Sequence, residues 1–485
     1  MDKQNIKALS IGAHALRLTA VKIITILIAM LIVMLLSRYQ TMEEYGTYAE
    51  LLLVSNLGAS LMMLGLPNSI NYFLARADTS EEQQRFLSVY YTVSTALSIT
   101  IGIIFVVGIP ALEGYFHNSW IHIFWYFLAI YPWASIISSS LENTLVVYQK
   151  TTLLMLYRFL YSAALLLAII VAQWSKANFS SLMIVLSAIH CTFAIVVYRI
   201  VNRLGGGIGF SLDTTIIKNI FRFSIPIGMA TAVGTLSTEM DKLLIGYMMD
   251  IEQLAIYTNA AKELPLTIVA SSITAVLLPQ IVRLMKNENP VAAIRLWGSA
   301  IELALIIITF IVSCIFVFAE DIISLLYSEK YLPGANIFRI YSLNLLFRCT
   351  YFGMILNACG KTKQILYCSV ITLILNLLLN PLCFWTFGII GPAIATLISI
   401  LFMVLLQLKM TSNILSISFS QSLPLRGIAN IFLINIAFSV PLFILGQYFD
   451  GIYWGSLVCS ICGIVYFSLM KNKLVQLWQS LRYQQ

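Results

Sequence analysis

The chain alternates long apolar blocks with short polar connections along its whole length. Cutting it at charged residues and at Pro/Gly breaks leaves about fourteen apolar blocks of roughly 20 to 30 residues each. A block of about 20 apolar residues rises about 30 Å as a helix, which matches the hydrocarbon core of a bilayer. The pattern therefore predicts an all-α polytopic membrane protein with about fourteen transmembrane helices.

Composition agrees with this prediction, because hydrophobic residues make up 60% of the chain, charged residues 10%, and the mean hydropathy is +0.89. The class is that of membrane channels, carriers and membrane-embedded enzymes. The first block follows a basic N-terminus, as a signal peptide does, but no small-residue cleavage site follows its apolar core, so we expect a helix. The predicted spans fall near residues 15–36, 48–74, 86–109, 120–147, 153–174, 182–201, 220–248, 254–284, 293–318, 335–358, 365–387, 389–408, 428–445 and 452–470.

Lysine and arginine recur at alternate connections, and short cytoplasmic loops are the ones that retain these residues. On one side of an even-numbered topology lie Lys3, Lys7, Arg17, Arg76, Arg85, Lys150, Arg199, Arg203, Arg283, Lys286, Lys361, Lys363, Lys409, Arg426, Lys471, Lys473 and Arg482. The opposite connections hold Arg38, Lys176 and Lys330 among acids such as Glu43 and Glu320. Both termini are therefore predicted to be cytoplasmic. Topology and anionic lipid then explain the net charge of +8, and nothing indicates nucleic-acid binding.

Motifs for redox, metal or nucleotide chemistry are weak. Cys459 and Cys462 form a C-x-x-C inside the last predicted span, without a second pair, so we interpret them as packing thiols. Gly360-Lys361-Thr362 resembles the end of a phosphate-binding loop, but Ile355 stands where that loop needs glycine. The sequence therefore predicts no cofactor and no metal. Work against a gradient would have to be driven by ions, by substrate consumption or by a partner.

The two halves of the chain repeat. The run Glu44–Tyr48 corresponds to Gln253–Tyr257 at an offset of 209, and Tyr148–Thr151 corresponds to Cys359–Thr362 at an offset of 211. Six spans separate the copies, so both halves have the same orientation, related by an axis along the membrane normal. We predict an N-terminal lobe at 1–204 (spans 1–6), a cytoplasmic linker at 205–215, a C-terminal lobe at 216–410 (spans 7–12), and spans 13–14 with a cytoplasmic tail at 411–485. A central cavity is expected between the two pseudo-symmetric six-helix lobes.

Short motifs in a characteristic order resemble one family. They are Glu44–Tyr48, Leu64-Gly65-Leu66, Ser224-Ile225-Pro226, Asp241-Lys242, Tyr257 and the run Asn376–Thr396. Over almost its whole length the chain resembles Wzx-type polysaccharide flippases of the multidrug/oligosaccharidyl-lipid/polysaccharide (MOP) superfamily. The resemblance implies translocation of undecaprenyl-diphosphate-linked oligosaccharide repeat units across the bacterial inner membrane, for O-antigen or another surface polysaccharide. It also implies ion-coupled alternating access, with a polysaccharide polymerase and a chain-length regulator as candidate partners beside membrane lipid.

Cations inside the spans are candidates for holding the diphosphate, because charge in hydrocarbon is costly and is usually functional. Lys22 and Arg348 fall nearest the middle of the predicted spans. Nearer the cytoplasmic ends are Arg17, Arg158 and Arg222, and nearer the outer ends are Lys262 and Arg339. Snorkelling of Arg17 and Arg222 to the headgroups is an alternative that the sequence leaves open.

Embedded carboxylates are the natural groups for ion coupling, since they can load and release a proton. Asp241 matches the family acid of span seven, and Glu302 lies about eleven residues into span nine. A private salt pair between Glu239 and Lys242 is an open alternative to a role of that lysine in the path. Asparagines in the spans could contact sugar or bond between helices, and the sequence does not distinguish these roles. They are Asn56, Asn68, Asn71, Asn344, Asn357, Asn376 and Asn380.

Other functional classes stay open at this point. A multidrug/cation antiporter of the same superfamily would share the fold and differ in substrate. A membrane-embedded polysaccharide polymerase or glycosyltransferase generally needs a long outer loop with catalytic residues, whereas no outer loop here exceeds about fifteen residues. The buried charges argue against a non-transporting scaffold. We therefore predict a transporter rather than an enzyme.

Overall fold

The computed structural model describes residues 23–262, 267–448 and 452–482. Across these residues the backbone forms helices and turns, without a strand. The chain divides into two compact units, Met1–Ala255 and Ile256–Gln485. The all-α prediction is confirmed.

The first unit is a bundle of long helices with two short ones. Its helices are α1 (Ile23–Tyr39), α2 (Met42–Met63), α3 (Leu66–Phe73), α4 (Ser80–Val107), α5 (Ile109–Phe116), α6 (Trp125–Val147), α7 (Thr151–Trp174), α8 (Phe179–Leu204), α9 (Thr214–Met248) and α10 (Ile251–Ala260), whose last residues belong to the second unit. Side-chain caps fix several starts: Thr79 accepts from the backbone N–H of Glu82, and Asn178 from that of Ser181.

The core of the first unit lies where α4, α6 and α8 meet. Leu87, Tyr90, Ile137, Leu141 and Val197 are fully buried there in one apolar cluster. α4 and α8 also carry large apolar side chains on an exposed face. Helices that are apolar all round are typical of membrane spans, in which one face meets protein and the other meets lipid.

The second unit repeats this pattern and adds two helices. Its helices are α11 (Thr267–Lys286), α12 (Pro290–Val317), α13 (Ala319–Leu326), α14 (Ala335–Phe347), α15 (Met354–Ala358), α16 (Thr362–Phe387), α17 (Gly391–Leu415), α18 (Leu425–Tyr448) and α19 (Ile452–Arg482). α12 is its central element and packs against α11, α14, α18 and α19. The last two helices are therefore bound to the second unit through α12.

The internal repeat is visible in the order and the starting points of the helices. In both halves a short helix follows a long one, and a 3₁₀ turn follows the short helix. This order relates α4 to α12, α5 to α13 and α7 to α16. The first residues of these pairs are separated by a nearly constant distance along the chain: Ser80 and Pro290, Ile109 and Ala319, Thr151 and Thr362. The spacing agrees with the offsets predicted from the sequence motifs.

Nine helical segments in the described residues are long and apolar enough to cross a membrane, and α2 with α3 makes a tenth bent span. One of the nine, Thr362–Leu415, contains both α16 and α17. Each predicted span coincides, over its described part, with a helix or a broken helix, so the predicted arrangement is consistent with the structure.

The sequence predicts the boundary between the lobes at 205–215, whereas the two compact units of the structure are divided after Ala255. α9 packs on α2 and α3 inside the first unit, whereas the sequence division places 216–410 in a second lobe. The predicted linker corresponds to the connection between α8 and α9. The assignment of α9 to a C-terminal lobe stays a prediction.

Candidate substrate-binding site

The second predicted span is broken in its interior. α2 begins at a capping box, in which the Thr41 hydroxyl accepts from the Glu44 N–H and the Glu44 carboxylate accepts from the Thr41 N–H. It ends at Leu64 and Gly65, whose φ angles of 47° and 70° lie in the left-handed region. α3 then starts with Pro67 in its first turn, bent by 42° from α2. Non-helical backbone at membrane depth occurs where protein or a cavity surrounds it, so this break indicates a functional position.

The break packs directly against the backbone of α9. A Cβ atom on Gly228 would lie 2.6 Å from the backbone nitrogen of Gly65, and one on Gly65 would lie 2.7 Å from the carbonyl oxygen of Ser224. Backbone atoms cannot move aside as a flexible side chain can, so both positions require glycine. Leu64-Gly65-Leu66 and Ser224-Ile225-Pro226, two motifs of the family resemblance, therefore meet at one helix crossing.

A cavity of about 310 Å³ lies beside this crossing, and six of its ten lining residues have polar side chains. Its polar lining consists of two amides and four hydroxyls, from α2, α3, α6 and α9, and the described lining contains no charged residue. These residues are Asn56, Ser60, Asn68, Ser135, Ser139 and Thr231. Asn56 and Ser60 on α2, and Ser135 and Ser139 on α6, are four residues apart, a spacing that brings two side chains to one face of a helix. Amides and hydroxyls both donate and accept hydrogen bonds, so the lining suits a neutral ligand that carries many hydroxyls.

Four of the six polar lining side chains are already hydrogen-bonded within the described residues, and those of Ser135 and Asn68 are not. The hydroxyls of Ser139 and Thr231 donate to carbonyl oxygens of their own helices. The Tyr131 hydroxyl donates to Oδ1 of Asn56 over 3.2 Å, and the hydroxyls of Ser60 and Thr235 share a hydrogen bond of 2.9 Å. The exposed Asn68 side chain makes no hydrogen bond within the described residues. Its amide is thus free to pair with a ligand from the wall of the cavity.

An asparagine on α6 fixes the start of α3. Nδ2 of Asn143 donates to the Pro67 carbonyl oxygen over 2.9 Å, and Nδ2 of Asn71 donates to Oδ1 of Asn143 over 3.1 Å. These bonds flank Asn68 on both sides of the sequence. Asn71 therefore bonds between helices, which is one of the two roles that the sequence left open.

Glu50 is a buried carboxylate that the sequence analysis missed. It is 1% exposed in α2, and its Oε2 accepts from Nδ2 of Asn118 over 2.6 Å. The same amide lies 3.2 Å from the Thr47 hydroxyl, and Oε1 of Glu50 has no hydrogen-bond partner in the described residues. Leaving a buried carboxylate oxygen unpaired is costly. The available signal was that Glu50 is the single acid within the predicted second span.

Of the four predicted cations in the N-terminal half, the structure describes two, and these two lie on different helices. Arg17 and Lys22 lie outside the described residues. Arg158 on α7 forms an ion pair with Glu142 on α6. Arg222 on α9 is exposed and has no ion pair within the described part of the chain. A binding role for all four stays a prediction.

Two predicted cations of the second unit have structural partners. Arg339 pairs with Glu320 over 3.0 Å, and it also donates to the Phe316 carbonyl oxygen over 3.1 Å and to Asn336 over 2.7 Å. These bonds join α14 to the end of α12 and the start of α13. Nζ of Lys262 donates to Oδ1 of Asn259 over 3.2 Å. Their predicted contacts with substrate remain untested.

Arg348 lies at a second broken span. α14 ends at Phe347 and α15 begins at Met354, so Arg348 starts a non-helical stretch between them. One turn earlier, Asn344 is fully buried, and both polar atoms of its amide lack hydrogen-bond partners in the described residues. Discontinuous helices with unsatisfied polar groups are typical of transporter binding sites. A binding role for Arg348 stays a prediction.

The predicted acids have different surroundings. Asp241 is 1% exposed, and its Oδ1 accepts from the N–H of Lys242 over 2.8 Å. Nζ of Lys242 lies 2.6 Å from Oε2 of Glu239, which confirms the private salt pair. Glu302 on α12 instead pairs with Lys473 on α19 over 2.9 Å. Ion coupling through Asp241 or Glu302 stays a prediction.

Comparisons with solved structures define the class of fold. The chain is similar to the lipid II flippase MurJ in an inward closed conformation, with a TM-score of 0.78 and 15% identity, covering 94% of this chain and 99% of that one. It is also similar to an inward-facing multidrug resistance MATE family transporter of the MOP superfamily, with a TM-score of 0.64 and 16% identity, covering 83% and 98%. The fold is that of MOP-superfamily membrane transporters.

The family follows from sequence. A family model described as "Polysaccharide biosynthesis protein" matches residues 35–336, so the chain belongs to that family. The capsular polysaccharide biosynthesis protein CapF of Staphylococcus aureus is 26% identical over 38% of this chain and 47% of its own length. An uncharacterized membrane protein of Methanocaldococcus jannaschii is 28% identical over 41% of this chain and 40% of its own. The aligned regions span less than half of these relatives. The family resemblance predicted from the sequence is confirmed by the family model, and the fold is the one that the chain shares with solved transporters of the MOP superfamily.

Proposed function

We propose that the protein is a flippase that translocates a lipid-linked oligosaccharide during surface polysaccharide synthesis. The observation that carries this proposal is the cavity without charged lining at the break between α2 and α3, in a chain of the polysaccharide biosynthesis family. A sugar that leaves water loses hydrogen bonds, and each unpaired hydroxyl costs roughly 2 to 7 kcal/mol in an apolar medium. Amides and hydroxyls of the cavity replace those bonds, while a prenyl tail stays in lipid.

The cargo in this proposal is an undecaprenyl-diphosphate-linked repeat unit, moved across the bacterial inner membrane. A diphosphate needs cations in a low dielectric, and Arg348 at the broken α14 is the candidate with the most suitable surroundings. Lys22, Arg17, Arg158, Arg222, Lys262 and Arg339 complete the proposed path. A polysaccharide polymerase and a chain-length regulator would act on the translocated unit.

Ion coupling belongs to the same proposal. Asp241 and Glu302 are the carboxylates that the sequence nominates, and burial adds Glu50 as a third. A buried carboxylate such as Glu50 can take up a proton when water is excluded and release it when water returns. Alternating access would expose such a group to each side in turn.

The test replaces polar groups of the cavity with apolar groups of similar size. Thr231→Val removes a hydroxyl from the cavity lining, and Asn68→Leu removes the free amide. The matched control is Thr192→Val on α8, because both threonines are exposed and both bond to the carbonyl four residues earlier. We expect Thr231→Val to slow flipping of a fluorescent lipid-linked oligosaccharide in proteoliposomes about two- to tenfold, the effect of one neutral hydrogen bond. The double variant Thr231→Val/Asn68→Leu should lose more than either change alone.

Equal rates for Thr231→Val, Asn68→Leu and Thr192→Val would exclude sugar binding in this cavity. Export of cationic dyes by the same proteoliposomes distinguishes a multidrug antiporter from a flippase. A cationic dye needs an anionic or aromatic wall, which the polar lining does not supply, so we expect no dye transport. Dye export that Thr231→Val leaves unchanged, without oligosaccharide flipping, would favour the antiporter.

A further inference from the structure

The connection between α8 and α9 forms one wall of a large cavity in the first unit. It leaves α8 at Gly205 and reaches α9 at Asp213, which caps that helix. The cavity has a volume of about 770 Å³ and lies among this connection, α4 and α8. It is separate from the cavity at the break of α2, since the two share no lining residue. Its volume falls in the range of about 300 to 1,000 Å³ that small-molecule sites occupy.

The connection is an extended segment bound along α4. Alternate residues of its backbone bond to side chains that lie one helical turn apart on α4. The pairs are Gly207 with Gln84, Gly209 with Ser88 at 3.2 Å, and Ser211 with Thr92 at 3.1 Å. Two residues of extended chain and four residues of helix both advance about 6 Å, so the register is kept over the whole segment. The odd-numbered residues are thereby fixed on α4.

The even-numbered residues of the connection form an apolar edge. Ile208 packs against the core of the first unit, whereas Phe210 is 82% exposed and Leu212 is 60% exposed. Both exposed side chains line the cavity, as does the exposed Ile99 on α4. Large apolar side chains that are exposed beside membrane helices are positioned to contact acyl chains.

One cation is available at the polar end of this cavity. Arg199 on α8 is exposed and has no ion pair within the described residues, and Asn202 lies one turn further along the same helix. Arg85 on α4 is already neutralised by Asp213. The backbone N–H of Ile216, and then the Arg85 guanidinium, hold the pKa of the Asp213 carboxyl below its ordinary value, so this acid stays charged at neutral pH.

The structure assigns to this cavity an anionic phospholipid with one phosphate, whose phosphate lies on Arg199 and whose acyl chain follows Phe210 and Leu212. Charge complementarity favours this occupant, because an unpaired guanidinium at the basic end of a helix pair attracts anionic headgroups. The apolar edge supplies the matching surface for a chain. Since the lipid would bridge α4, α8 and the connection to α9, it would hold the bound segment in place. The inference concerns lipid binding and does not depend on the cargo proposed above.

The test measures lipid retained by the intact protein. The protein is placed in nanodiscs of phosphatidylcholine and phosphatidylglycerol in a four-to-one molar ratio, so that anionic lipid is present as a minor component. Phosphatidylglycerol that stays bound after transfer to detergent is counted by native mass spectrometry. We expect Arg199→Gln to lower this count about fivefold, as expected from the loss of one cation near an anionic lipid. The matched control is Arg203→Gln, since Arg203 is exposed on the same helix one turn away and does not line the cavity.

A second variant guards against misfolding of the first. Ala96 is exposed on α4 and lines the cavity, so Ala96→Phe fills the space without disturbing the core. It should displace the lipid as Arg199→Gln does, with an unchanged elution volume and thermal midpoint. Equal retention by Arg199→Gln, Ala96→Phe and Arg203→Gln would overturn the inference. So would complete displacement by soluble glycerol phosphate, because a headgroup site alone would not use Phe210 and Leu212.

Discussion

Neutral polar groups, rather than charges, line the candidate site at the break of α2. Asn56 and Asn68 each carry hydrogen-bond donors and acceptors, and no charged side chain lies beside them in the described lining. An amide or a hydroxyl can exchange one sugar hydroxyl for another with little change in free energy, because the same groups donate and accept. A charged wall would hold one orientation more strongly and would release cargo more slowly. The lining is therefore suited to a ligand that must pass through.

The glycine crossing of α3 and α9 allows a sharp test at a single residue. Gly228→Ala should destabilise the protein by about 1 to 3 kcal/mol or more, because its Cβ would meet the backbone of Leu64 and Gly65. Gly234→Ala on the same helix is the control, since nothing lies within 4 Å of a Cβ there and alanine is the better helix former. Thermal unfolding in detergent measures both. A Gly228→Ala midpoint equal to that of Gly234→Ala would contradict the crossing.

Individual partners show which of the predicted cations are paired, a property that the sequence could not supply. Arg158 on α7 pairs with Glu142 on α6, and Arg339 on α14 pairs with Glu320 on α13. Partners on different helices lie beyond the three- and four-residue spacings that sequence inspection can interpret on one helix. The Glu239–Lys242 pair has the local spacing, and it could be predicted. The surroundings of Glu50 were missed for the same reason, since its partner Asn118 is also distant in sequence.

Whole elements could be predicted because lipid imposes a simple rule on them. A span must be long, apolar and helical, so the length of the apolar blocks located α4, α7, α8 and α12 within several residues. The interruptions were harder to predict, because Leu64-Gly65 and the stretch after Phe347 stand within predicted spans. The contact of Leu64 and Gly65 with the backbone of α9 joins residues that are distant in sequence, and the one-dimensional pattern does not contain such contacts.

An ion pair and a hydrogen bond from one lysine connect the last two helices, α18 and α19, to α12 within the second unit. Nζ of Lys473 on α19 lies 2.9 Å from Glu302 on α12 and 3.3 Å from the carbonyl oxygen of Gly427 on α18. A Cβ on Gly427 would lie 2.7 Å from Oε2 of Glu302, so glycine admits the carboxylate at the start of α18. Both charged side chains are largely buried, and removing one partner from such a pair costs up to about 3 to 5 kcal/mol.

A double-mutant cycle distinguishes this structural role of Glu302 from ion coupling. Glu302→Gln and Lys473→Gln should each lower the thermal midpoint, and the double variant should lose less than the sum, with a coupling of about 0.5 to 3 kcal/mol. Lys471→Gln is the control for charge alone, since Lys471 is exposed on the same helix. If Glu302→Gln abolished transport, with no coupling to Lys473 and an unchanged midpoint, the carboxylate would serve coupling instead.

At the scale of the whole molecule, the internal repeat governs which side of the membrane each connection faces. An even number of spans per repeat keeps corresponding connections on the same side, as the basic residues indicate. α7 and α16, which correspond in the repeat, each follow a basic connection, at Lys150 and at Lys361. The short helices α5 and α13 follow the C-terminal ends of α4 and α12, whereas basic connections precede the N-terminal ends of these two helices. Sequence charge and helix order therefore indicate one and the same polarity.

Reporter fusions test that polarity directly. Fusions after Lys150, Arg203, Lys286 and Lys363 should all report a cytoplasmic position, because each follows an even number of predicted spans from a cytoplasmic N-terminus. A fusion after Lys176 is the matched control, since this lysine lies between α7 and α8 at the opposite end of α7 from Lys150, and it should report the outside. If a lysine beside the fusion point determined the signal, the fusions after Lys150 and Lys176 would report the same side. A cytoplasmic signal at Lys176, or an outside signal at two of the four basic connections, would contradict the alternation from which the cytoplasmic position of both termini is predicted.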